Sequence, residues 1–104
     1  MLNKNICTGL MTLSLALASA SLHAQAAGAD TYKAKCQMCH GADGLGQTPA
    51  GKAMKVPAVS TFAKESQADL IAITKNGKGK MPAYAGKLTD PQIKEVVVYM
   101  VSLK

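Results

Sequence analysis

The most regular hydrophobic pattern lies near the C-terminal end, where Ile93, Val96, Val97, Met100 and Val101 recur at three- and four-residue spacing. That spacing puts them on one side of an α-helix. Thr89-Asp90-Pro91 ahead of them reads as a cap with proline at the first helical position. A second periodic stretch opens at Ser66-Gln67-Ala68-Asp69, a capping-box-like start with Asp where Glu or Gln is usual. Leu70, Ile73 and Ile71 make its apolar side, and Asn76-Gly77 predicts its end. A third helix is expected from Ala29 to about Met38, with Asp30 as N-cap or first-turn acid. Gly41 to Pro49 is dense in turn residues, and Pro57 extends that irregular stretch. Lys78 to Tyr84 reads as another loop. No segment alternates with period two, and no repeat occurs. The pattern is that of an all-α domain with long loops, which in so small a domain need an internal object to wrap around.

The N-terminal pattern is of another kind. Lys4 lies in a short basic start, an apolar run with small Ser, Thr and Gly spans Ile6–Ala20, and small residues follow. Ala24-Gln25-Ala26 offers an A-x-A cleavage site. This order predicts a secretory signal peptide over residues 1–26, cut after Ala24 or Ala26, with a domain over 27–104. The polar Thr8, Thr12, Ser14, Ser19 and Ser21 weigh against a retained membrane anchor. Cys7 would leave with the signal. The remaining chain of about 78 residues buries a limited share of its surface and needs a staple. A disulfide between Cys36 and Cys39 would close too short a loop to constrain much. The sequence has no Trp and one Phe, Phe62, so something other than side chains is expected to fill the middle.

Charge narrows the partners. The twelve basic residues of the 104 are all Lys, against six acids. An exported chain without Arg forks or interleaved aromatics is a poor fit to nucleic acid. An acidic protein partner fits better.

The chemistry centres on Cys36-Gln37-Met38-Cys39-His40. A zinc site would need two more Cys or His ligands, and beyond the pair the domain offers only His40. A thioredoxin-type dithiol site needs a βαβ setting, which the pattern lacks. Two thiols at this spacing can each add to a vinyl group on one edge of a haem, and the adjacent imidazole can ligate the iron. C-x-x-C-H is the c-type haem attachment pattern.

With these motifs in place, the chain resembles a class I cytochrome c of the short bacterial type, from Gly28 to Leu103. Gly28 and Tyr32 stand eight and four residues before the first Cys, and Val96 and Tyr99 match an aliphatic–aromatic pair on the last helix. In that family the two sets meet where the N-terminal helix crosses the C-terminal one. The resemblance implies the cytochrome c fold: three to four short helices and long loops around one covalently attached haem c. It also implies His/Met ligation. Of the candidates, Met38 lies inside the attachment loop, Met54 follows His40 too closely, and Met100 falls on an apolar stripe. Position, flanking glycines and the family's ligand loop favour Met81, with His40 opposite.

Weaker expectations follow from the same resemblance. Pro57, ahead of Pro49, would accept the second N–H of His40. Tyr84 would hydrogen-bond a haem propionate, and Gly79 would allow close backbone approach to the ring. Lys35, Lys52, Lys55, Lys78, Lys80 and Lys87 would surround the exposed haem edge and orient an acidic redox partner. The expected protein is a monomeric one-electron carrier of the periplasm, without stable membrane insertion of the mature chain. Two rival readings are a haem-bearing subunit of a larger oxidase or dehydrogenase, and a haem enzyme with a labile Met ligand.

Overall fold

The computed structural model describes residues 22–104. The first 21 residues, and with them most of the expected signal segment, lie outside the described residues. Helix α1 covers residues 22–35. It is followed by α2 (Gln37–His40), α3 (Pro49–Met54), α4 (Val59–Phe62), α5 (Gln67–Asn76) and α6 (Asp90–Val101). Among the described residues the only extended pairing is two isolated bridges, Lys78 with Met81 and Ala85 with Leu88. The architecture is all-helical, as the hydrophobic period implies.

Both expected ends of α5 are those found, and α6 starts within one residue of its expected start. The Ser66 hydroxyl accepts from the Asp69 N–H at the start of α5, and Gly77 closes it. At α6, Thr89 and Gln92 form a reciprocal capping box. The helix begins at Asp90, so Pro91 is its second residue rather than its first. The first helix departs more from expectation. It runs well N-terminal of Ala29, through Ala24-Gln25-Ala26-Ala27, and Asp30 is interior rather than a cap. Alanine and glutamine are strong helix formers, so the residues read as a cleavage region also extend a helix. Two short helices appear where only loop was expected. Thr48 caps α3, with Pro49 in its first turn, so this proline starts a helix instead of ending one. The single turn α4 is pinned by a tertiary bond, the Val59 N–H to the Gly44 carbonyl at 2.8 Å.

Helices α1 and α6 meet through Gly28, where a Cβ would stand 2.5 Å from the Glu95 carbonyl oxygen and 3.1 Å from the Tyr99 Cβ. Hydrogen in place of a side chain lets the backbones touch. One turn further on, Tyr32 is 1% exposed and packs with Cys36 and Val96, flanked by Tyr99, Met100 and Leu103. The Tyr32 and Tyr99 rings are 5.3 Å apart and tilted by 57°, a favourable aromatic arrangement. The crossing implied by the resemblance is the one the chain makes. Helix α5 packs along α6, and α2 along α3.

Candidate functional site

Cys36 interrupts the first helix. Its own N–H still bonds the Tyr32 carbonyl at 2.9 Å, but the Cys39 N–H turns to the Cys36 carbonyl at 3.2 Å, a tightened turn. The His40 N–H bonds the same carbonyl at 2.9 Å. Both thiols and the imidazole therefore ride on one short turn, with the Cys pair at the i, i+3 spacing that faces one side. Gly41, at φ 82°, ends the turn. The Tyr32 hydroxyl donates to the Gly41 carbonyl at 2.5 Å. The Thr48 hydroxyl donates to the Met38 carbonyl at 2.5 Å while capping α3. The turn is thus anchored from both sides.

This turn opens onto a cavity of about 530 Å³, within the 300–1,000 Å³ range of ligand and cofactor sites. Cys36, Cys39, His40, Gly79 and Met81 all line it. Lys78 and Met81 exchange backbone hydrogen bonds of 3.2 and 3.0 Å, which brace the turn that carries Met81. Gly79, at φ 58°, would offer a Cβ no neighbour within 4 Å, so its backbone leaves that side open. Of the lysines expected around the site, Lys35, Lys55, Lys78 and Lys80 line the cavity; Lys52 and Lys87 do not. All six are exposed.

Electrostatics fit a metal-bearing group. Burial lowers the His40 pKa and keeps the ring neutral, the form that ligates a metal. Its Nδ1 is buried with no hydrogen-bond partner among the described residues, so the expected bond to the Pro57 carbonyl is not formed, although Pro57 stands in the wall. Burial, and then the neighbouring Cys39, push the Cys36 thiol up to about 11. Both cysteines are free thiols. Two unlinked sulfurs, a neutral imidazole and a thioether around one large cavity suit a haem joined through its edge and held through its iron.

Several contributors carried little signal in the sequence. Phe62 presents an edge to the His40 ring, with centroids 6.3 Å apart. Met54 and Met100 also line the cavity, as do Thr74 and Glu65. Met100, expected in the core, both flanks the Tyr32 cluster and faces the cavity. Tyr84 lines the cavity too, but its hydroxyl donates to the Lys35 carbonyl at 3.0 Å. That backbone partner is one the sequence did not suggest.

A helical chain with two thiols and a neutral imidazole on one turn facing a cofactor-sized cavity defines a covalent haem carrier. Comparison with known proteins agrees. Residues 23–100 match the family described as cytochrome C oxidase, cbb3-type, subunit III. Cytochrome c6 of Leptolyngbya boryana is 40% identical over 75 residues, covering 72% of this chain and 87% of that one. Cytochrome c6 of Thermosynechococcus vestitus is 35% identical over 97 residues, covering 92% and 86%. The cbb3-type cytochrome c oxidase subunit FixP of Sinorhizobium medicae is 30% identical over 96 residues, but only 33% of its length is covered. The chain belongs to this cytochrome c family and is a class I monohaem cytochrome with one covalently attached haem c. It is an electron-transfer protein rather than an enzyme.

Proposed function

We propose that Cys36 and Cys39 form the thioether links to the haem, that His40 and Met81 are its axial ligands, and that the protein shuttles single electrons between exported or membrane-bound redox proteins. The observation that carries this reading is the convergence of all four side chains on one cavity. The haem supplies a one-electron iron couple. The chain's own part is to hold the imidazole neutral on a tethered turn and to present a thioether from a loop that its own backbone bonds brace. A thioether favours ferrous iron and raises the potential relative to two nitrogen ligands. With His40 and Met81 both holding the iron, peroxide and dioxygen would find no open position on it.

The export segment over residues 1–26 would deliver the chain to the periplasm. No helix among the described residues is long and apolar enough to cross a membrane. Exposed lysines that line the cavity, Lys35, Lys55, Lys78 and Lys80, would meet an acidic partner. An absorption spectrum of the mature protein, made with haem-attachment machinery, tests the assignment. A low-spin c-type spectrum, with the weak red band of ferric iron–thioether ligation, is expected. Met81→Ala should abolish that band and admit carbon monoxide to the ferrous protein. A wild-type spectrum that is high-spin, or a Met81→Ala spectrum unchanged from it, would overturn the ligand assignment.

A further inference from the structure

Tyr84 joins two sides of the cavity that are distant in sequence. The kink at Cys36 sends the Cys39 N–H to the Cys36 carbonyl, so the Lys35 carbonyl loses the partner a continuous helix would give it. The Tyr84 hydroxyl takes that place, donating to the Lys35 oxygen at 3.0 Å across 49 residues. Lys35 directly precedes Cys36, and Tyr84 lies three residues after Met81. The backbone around Tyr84 is fastened as well. Its N–H bonds the Thr74 carbonyl at 3.0 Å, and the Ala85 N–H bonds that of Lys75 at 3.1 Å. The Lys87 and Leu88 N–H groups both donate to the Tyr84 carbonyl at 3.0 Å. The Lys87 ammonium sits 5.7 Å over the ring, within cation–π range. Met81 itself is bonded locally, to Lys78, in a turn that follows Gly77 and contains Gly79.

We propose that Tyr84 is a positioning residue for the Met81 side of the haem site: its hydroxyl latches the Met81 loop to the helix end that carries Cys36, and so resists displacement of the sixth ligand. The proposal rests on the reading of Met81 as that ligand. Phenylalanine would fill the same space but leave the Lys35 carbonyl without its donor. The loop would then open more often, and an exogenous ligand that binds only the open form would gain apparent affinity in proportion.

The test is imidazole binding to the ferric holoprotein, followed by loss of the red band, in wild type, Tyr84→Phe, Thr89→Ala and Met81→Ala. Tyr84→Phe should keep the band at rest yet bind imidazole roughly three- to tenfold more tightly, the factor expected for one lost hydrogen bond. Amide exchange at Met81 and Ala85 should quicken by a similar factor. Thr89→Ala weakens the start of α6 and serves as the control for general destabilisation; its imidazole affinity should stay at the wild-type value. If Tyr84→Phe matches wild type while Met81→Ala binds freely, the latch is wrong and the ligand reading stands. Equal gains in Tyr84→Phe and Thr89→Ala would also overturn the latch. If Met81→Ala keeps the band, the ligand reading falls and the latch with it.

Discussion

Tyr32 shows how much one side chain decides at this site. Its ring fills the crossing of α1 and α6, and its hydroxyl satisfies the Gly41 carbonyl directly after His40. Burial, then the nearby Cys36, Tyr99 and Asp43, raise its pKa to about 12. A buried hydroxyl kept protonated by the fold stabilises the protein fully below the unfolded tyrosine pKa of about 10. That contribution fades as pH climbs from there towards 12. Tyr32→Phe should cost about 0.5–1.5 kcal/mol at neutral pH, the worth of one lost hydrogen bond, since the Gly41 carbonyl keeps the Gly44 N–H at 3.2 Å. Above pH 10 the variant should lose stability less steeply than wild type, which denaturant titrations at pH 8 and 11 would show. The Cys36-x-x-Cys39-His40 pattern was legible because it involves only neighbours in the chain. The partners of Tyr84 and His40 were not, since Lys35 and Phe62 reach them only through folding.

Among the elements, α5 and α6 were readable because each carries a periodic apolar face and a side-chain cap within four residues of its start. Helices α3 and α4 span too few residues to display a period. Thr48-Pro49 is a local start signal for α3, but the two helices are held in place by the Thr48 bond to Met38 and the Val59 bond to Gly44, contacts that no local pattern encodes. The α1–α6 crossing makes a sharp prediction. Alanine is the better helix former at an ordinary position, by about 1 kcal/mol over glycine. At Gly28 the new methyl would strike the Glu95 carbonyl, so Gly28→Ala should destabilise, and Gly28→Val should do so by about 1–3 kcal/mol or more. Thermal melts of the ferric protein check the sign; a rise in Tm for Gly28→Ala would mean the helices do not meet there.

At the scale of the molecule, the cavity is the main fact: a small domain with about 530 Å³ of its interior not filled by side chains. Net stabilities of about 5–15 kcal/mol leave little to support such a hole. The double variant Cys36→Ser/Cys39→Ser, unable to tether haem, should therefore lose most of its helical circular dichroism at 25 °C. Lysines outnumber acids two to one across the sequence, and the reaction with an acidic redox partner should slow as ionic strength passes 0.1 M, where charges about 10 Å apart are screened. A stopped-flow rate that stays flat with salt would rule out lysine-guided docking. What the sequence alone determined was the helical class, both ends of α5, the start of α6 and the excess of lysine, because each is written in local spacing or in composition. Tertiary structure alone decided which lysines border the cavity, which carbonyl Tyr84 meets, and that Met54, Met81 and Met100 face one space. Those depend on where separate helices come to rest against each other, and hydrophobic period carries no record of that.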